Sequence, residues 1–320
     1  MTAAVSTGVG LERVAVRLPG RVEKVTDIMR RTGHDPAESR LFKTLFGLRH
    51  SPSLAPGEQW EDLLTAAGRE ALGGGHASLV LYGHTLLTQE FALRGGFADR
   101  MRARLGLPGS RFFGLSHINC VSVLRGVEIA RRYLRRPGVS PDDRVLILGG
   151  DHASVHDASR VMPGMAVGGD GVIAVAVRPR GRARYRYLGG AASRDARFHR
   201  KDLSADRAVL FSQVCREQAV DTALRAVRDA GLTPADIDWV MPHLSNRMFW
   251  STFGRLTGIP RDRICTDLIP ERGHNFGGDA LMALEHAEST GRLRPGHRCV
   301  LLSLALGAYF QAVIVEVEED

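Results

Sequence analysis

The chain has 320 residues, 44% hydrophobic and 24% charged, with 43 Lys+Arg against 35 Asp+Glu for a net charge of +8. This is ordinary globular composition, long enough for one large domain or two smaller ones with a sizeable core. The excess charge is arginine scattered along the chain rather than a basic tail, which suits an acidic partner. At 6% aromatic, and without a zinc-knuckle or RNP-type motif, nucleic acid is not the expected one.

Four cysteines, Cys120, Cys215, Cys265 and Cys299, lie far apart with no Cys-x-x-Cys pair. That argues against a metal cluster or a disulfide framework and for a reducing compartment. The first twenty residues hold no apolar segment of signal-peptide length. The longest apolar run, 300–317, is broken by Ser303, Gly307 and Gln311, so it reads as two strands and a tight turn, not a membrane span. The expectation is a soluble cytoplasmic protein.

Along the chain, 111–116 reads as a strand ending just before Cys120. The next segment places Val123, Leu124, Val127, Ala130 and Leu134 at helical spacing, which puts the cysteine in the first turn of a helix. There, unpaired N–H groups and the positive end of the helix dipole favour a thiolate and lower the thiol's pKa. Taken singly, a lone cysteine is more often a small buried packing residue. Then come Arg-Pro-Gly, a buried strand at RVLILGG, and a β-branched run at 171–178. The Arg-rich piece 178–202 has little regular apolar spacing and reads as a crossing segment between two halves. A helix containing Cys215 follows, then the short strand of DWVMPHLSN (238–246), with His243 where the chain leaves the sheet. Ligands and catalytic groups collect at such strand ends, and a histidine there can take a proton or steady negative charge on a carbonyl.

The second half repeats the first: helix, Arg-Pro-Gly, buried strand, apolar strand. The triplets begin at Arg136 and Arg294, and the same offset carries Cys120 onto Gly278, in the loop GHNFGGD (273–279). The two helix starts are therefore expected to face one another at an approximate twofold axis.

Taken together, Cys120 at a helix start, the Gly-Gly-Asp-Gly turn (168–171), the D-W-V-x-P-H-x-x-N run, the glycine-asparagine loop and the final hairpin resemble β-ketoacyl-acyl-carrier-protein synthase III, in the thiolase superfamily. The resemblance extends from LERVAVRLPGRV to VIVEV. It implies an α/β thiolase fold with two pseudo-twofold halves, 1–178 carrying the cysteine and 179–320 carrying the His and Asn/Asp loops, in a layered αβαβα core. It further implies Cys120 as acyl-carrying nucleophile, the N–H groups of Cys120 and Gly307 as oxyanion hole, and His243, with Asn246 closing its motif, as catalytic histidine. The substrate would be an acyl-carrier-protein or coenzyme A thioester, with no bound cofactor or metal, and the protein a homodimer.

The loop GHNFGGD departs from the Gly-Asn-Thr-Ser pattern of condensing members. Asn275 is the nearest asparagine, and Asp279 resembles the aspartate of members that acylate alcohols or amines, where it would orient His243 as a base. At the mouth, Leu41 and Leu45 stand where typical members grip coenzyme A with tryptophan and arginine. A carrier-protein donor docking on Arg247 and Arg255 is therefore expected. His152 and His156 in DHASVHD have metal-ligand spacing if helical, but the segment follows a strand directly and reads as a structural turn that could line the pocket. Cys215, Cys265 and Cys299 read as packing residues. Three functions remain open: acyl transfer through Cys120 to an oxygen or nitrogen nucleophile or a carrier-bound acceptor, decarboxylative Claisen condensation using His243 and Asn275, and a silent partner subunit of a ketosynthase.

Overall fold

The computed structural model describes residues 8–86, 96–179, 183–199 and 205–319. Nine strands form one mixed sheet: β1 (Val9–Arg17), β2 (Leu79–Gly83), β3 (Arg111–Leu115), β4 (Val145–Asp151), β5 (Gly171–Pro179), β6 (Tyr185–Arg194), β7 (Trp239–Met241), β8 (Arg298–Ala305) and β9 (Tyr309–Val317). Their spatial order is β7-β8-β9-β6-β1-β5-β4-β2-β3.

Outward from β1 the sheet runs antiparallel to β5 and β4, then parallel to β2 and β3. Outward from β6 it runs antiparallel to β9 and β8, then parallel to β7, and Val240 of β7 adds an isolated parallel bridge to Ile264. The two sides thus use their successive strands in the same spatial order and with the same polarity. They meet where β1 pairs with β6. The 178/179 boundary expected from sequence falls at the end of β5.

The strands near the centre read as unbroken apolar runs because both faces are covered. On β4, Leu146 and Leu148 join Val172 and Ala174 of β5 in a cluster under α1 (Trp60–Leu72) and α2 (Phe97–Leu105). The alternate residues Val145, Ile147, Ile173 and Val175 face the opposite way. There they meet Val123, Leu124, Val127 and Ala130 of α3 (Ser122–Leu134). The long α4 (Ala205–Asp229) covers β6, β8 and β9, and α5 (Arg247–Thr257) lies beside it. The last helix, α6 (Asp279–Ser289), carries a buried run from Asp279 to Leu284 and packs on β1, β7 and β8.

The crossing segment corrects a sequence expectation. Residues 185–194 form the ten-residue strand β6, and only 180–182 and 200–202 of that stretch lie outside the described residues. Its apolar rhythm is weak because small residues are needed where α4 comes close. A Cβ on Gly189 would sit 2.6 Å from the backbone nitrogen of Ala230.

Val123 sits in a socket of glycines. A methyl at Gly83, Gly149 or Gly277 would lie 2.9, 2.5 or 2.8 Å from its Cγ2 atom. The glycines let the end of β2, the end of β4 and the loop before α6 all converge on the first turn of α3. The two helix starts meet as the repeat implies: a Cβ on Gly277 would be 3.3 Å from the carbonyl oxygen of Cys120. Among the described residues, no helix is long and apolar enough to cross a membrane.

Candidate active site

Cys120 occupies a 3₁₀ turn, Asn119–Val121, just ahead of α3 rather than the helix's own first turn. The chain reaches it through His117 and Asn119, both at positive φ (66° and 51°), which tightens the approach so that the sulfur emerges at the strand-to-helix corner. Cys120 is 6% exposed and sits among Val121, Ala153, Phe276 and Ala305. Thr85 Oγ1 donates weakly to its sulfur at 3.8 Å.

The second contact of the sulfur is His274, whose Nε2 lies 3.5 Å from Cys120 Sγ. The other ring nitrogen, Nδ1, donates to Oδ2 of Asp279 at 2.6 Å. Asp279, fully buried at the N-terminus of α6, also accepts the backbone N–H of Leu244 on Oδ2 and of Asn275 on Oδ1, each at 2.7 Å. A carboxylate there is favoured by the helix dipole and satisfied by three donors. Cys120, His274 and Asp279 therefore form a continuous sulfur–imidazole–carboxylate chain.

His243 lies beside this chain. Its ring centroid is 4.3 Å from that of His274, and its Nδ1 is 3.5 Å from Asp279 Oδ2 without a hydrogen-bond partner. Its carbonyl accepts from Trp250 Nε1 at 2.7 Å, while Asn246 caps α5 by accepting the N–H of Phe249. The two imidazoles are electrically opposite. Burial works against charging His274, but the charge and hydrogen bond of Asp279, reinforced by Cys120, outweigh it and push its pKa up to about 10. Burial, with the positive charge of His274 next to it, drives His243 well below the ordinary imidazole value. At neutral pH one ring is a cation and the other a neutral base.

This geometry corrects the sequence reading of the GHNFGGD loop. Asn275 does not present its amide to the sulfur: Nδ2 donates to the carbonyls of Arg272 (3.0 Å) and Gly273 (3.3 Å). Its Oδ1 faces Gly171, where a Cβ would be 2.6 Å away. The short bond of Asp279 goes to His274, not to His243. Sequence reasoning passed over His274, although it directly follows Gly273 as the asparagine follows the glycine in Gly-Asn-Thr-Ser. The Gly-Gly-Asp-Gly turn holds this loop by its backbone, with Gly169 N donating to the His274 carbonyl (2.8 Å) and His274 N to that of Val167 (3.1 Å).

Gly307 lies in the turn between β8 and β9 at φ 87°, and Ala305 at the end of β8 joins the apolar shell around Cys120. Arg247 is half-buried, its side chain running across Gly47, while Arg255, Leu41 and Leu45 are exposed. His152 stacks on Trp60 and His156 is exposed. Neither belongs to the group close enough to ligate a cation that is found among the described residues: His243, His274 and Asp279, with ligand atoms within 4.8 Å of one another. The Asp279 carboxylate is already shared by two backbone N–H groups and an imidazole, so this donor set is committed to hydrogen bonding. Burial pushes the thiols of Cys215 and Cys265 up to about 12 and raises that of Cys299 as well, which suits packing residues.

Residues 227–317, from the end of α4 to β9, match the family model for the C-terminal part of 3-oxoacyl-[acyl-carrier-protein] synthase III. The β-ketoacyl-[acyl-carrier-protein] synthase III of Dinoroseobacter shibae is 27% identical over 98% of both chains. Over nearly its whole length the chain is similar to β-ketoacyl-acyl-carrier-protein synthase III. Among solved structures, synthase III (FabH) of Pseudomonas aeruginosa PAO1 superposes with a TM-score of 0.80 at 22% identity, covering 98% of this chain and 99% of that one. The acyltransferase ChlB3 superposes with a TM-score of 0.82 at 18% identity, covering 97% and 98%. The fold is the thiolase fold, as the sequence resemblance implied. This similarity supports a condensing or acyl-transferring enzyme.

Proposed function

We propose that the protein takes an acyl group from a carrier-protein or coenzyme A thioester onto Cys120 and passes it to a hydroxyl or amine acceptor. The observation supporting this reading is the placement of two buried histidines around Asp279: His274 bonds the carboxylate through Nδ1 and faces the sulfur through Nε2, while Nδ1 of His243 is left without a partner. The imidazolium of His274 stabilises negative charge on the sulfur. That sulfur attacks the thioester carbonyl, and the oxyanion forms against the N–H groups of Cys120 and Gly307. The carbonyl–sulfur bond of the donor breaks, and the departing thiolate takes the proton of His274. In the second half the acceptor O–H or N–H gives its proton to neutral His243 while its oxygen or nitrogen attacks the acyl-thioester, and Cys120 leaves as thiolate. A proton passed from His243 to His274 restores the starting state.

Decarboxylative condensation makes no use of a base in this half-reaction. It needs two donors to the enolate oxygen, which His274 and His243 could supply only with His243 as a donor. A carrier protein is the donor this reading prefers, with Arg247 and Arg255 as its docking residues, no bound cofactor, and a homodimer as the working unit. Intact mass spectrometry after incubation with acyl thioesters tests the first half: an adduct that disappears in Cys120→Ala is expected. The second half is tested by release of carbon dioxide from malonyl thioester, which would replace simple transfer with condensation.

A further inference from the structure

The turn that carries Gly307 is tied to the nucleophile loop by one side chain. Asn119 Nδ2 donates to the carbonyl oxygen of Leu306 at 2.9 Å, joining the residue before Cys120 to the residue before Gly307 across the interface between the two halves of the chain. The chain at Asn119 and just after Leu306 takes unusual backbone. Asn119 has φ 51°, a left-handed conformation that asparagine tolerates better than most residues, and Gly307 and Ala308 follow one another at 87° and 53°. Consecutive left-handed residues, one of them carrying a Cβ, persist only where the surroundings impose them. On the far side, the backbone N–H of Asp195 holds the carbonyl of Ala308 at 3.0 Å. Leu306 is 38% exposed and gives the turn little apolar anchorage.

A trans peptide fixes its N–H opposite its own carbonyl, so holding the Leu306 oxygen fixes the plane of the 306–307 peptide and the direction of the Gly307 N–H. We infer that Asn119 is a positioning residue that clamps the 306–307 peptide and thereby sets the Gly307 donor for the oxyanion formed at Cys120. This rests on the reading of Cys120 as acyl carrier. The clamp touches no reacting atom, and it acts only when a carbonyl becomes an oxyanion.

The test compares two reactions of one sulfur. Acyl loading from a thioester passes through an oxyanion, whereas alkylation by iodoacetamide does not. Asn119→Gly keeps the left-handed backbone and removes the donor, and Asn119→Asp keeps the shape but sets a carboxylate against the Leu306 carbonyl. Both should load acyl groups about 10-fold or more slowly, short of the roughly 10²–10³ seen on deleting a donor outright. Both should be alkylated at the unsubstituted rate, with unchanged thermal unfolding. Loading at the unsubstituted rate in Asn119→Gly overturns the clamp, as does a matching fall in alkylation, which would mean that the side chain acts on the sulfur itself. An unsubstituted protein that is alkylated but accepts no acyl group from any thioester overturns the acyl-carrier reading instead, and the clamp with it.

Discussion

Nδ1 of His274 donates to Oδ2 of Asp279 across 2.6 Å, in a pocket from which both residues are shielded completely or nearly so (1% and 0% exposed). This pair fixes which of the two histidines carries a proton, and through His274 it fixes the electrostatics around Cys120. Removing the carboxylate's charge should therefore act at a distance. In Asp279→Asn the His274 ring, followed by NMR, is expected to titrate far below about 10, because burial is then no longer opposed. Acyl loading of Cys120 at neutral pH should fall by about 10²-fold or more, on the scale of a lost general acid.

The two histidines should fail differently. His274→Ala is expected to slow formation of the acyl adduct. His243→Ala should form it and then stall, so that acyl-Cys120 accumulates in the presence of acceptor. Rapid-quench mass spectrometry separates the two, and an adduct equally slow in both variants would contradict the division of labour.

Stability should depend on pH in opposite senses at the two rings. His274 has its folded pKa raised to about 10, above the unfolded imidazole value. Its contribution is complete below about 6.5 and is lost as pH rises through about 10. His243 has its folded pKa depressed, so the fold holds it neutral. Its burial destabilises the protein progressively as pH falls below about 6.5. Urea unfolding across pH should show both flanks, with the alkaline one absent in His274→Ala.

Asp151, 2% exposed at the end of β4, accepts the N–H groups of Thr85 (2.7 Å) and Leu86 (2.6 Å) on Oδ1 and leaves Oδ2 without a partner. Burial raises its pKa to about 7 despite those bonds. A carboxyl that prefers its proton in the fold destabilises the protein above its unfolded value, and fully so above about 7. Asp151→Asn keeps the acceptor and removes the charge. It should be more stable than the unsubstituted protein at pH 8, with the gain shrinking toward pH 4, as thermal unfolding would show.

The Val123 socket makes a steric prediction. Gly149→Ala places a methyl 2.5 Å from Val123 Cγ2 and should cost about 1–3 kcal/mol as an overpacked core. Val123→Ala in the same chain should recover much of that loss. Equilibrium denaturation of the single and double variants measures the coupling.

The sequence by itself determined the layered α/β architecture. The runs at 145–150 and 171–178 are apolar on both faces, which only a sheet covered on both sides requires, and the repeated helix, Arg-Pro-Gly and strand marked the two similar halves. It also located Cys120 at a strand-to-helix corner and His243 at a strand end, because chain geometry alone exposes such positions. The tertiary structure decided what touches what. In GHNFGGD, neighbouring side chains point to opposite sides once Gly169 and Val167 pin the backbone of His274, so one residue of register determines whether an imidazole or an amide meets the sulfur. The strand at 185–194 was hidden for a related reason: its small residues answer to a helix that passes close by, and a close approach leaves no periodic mark in the sequence.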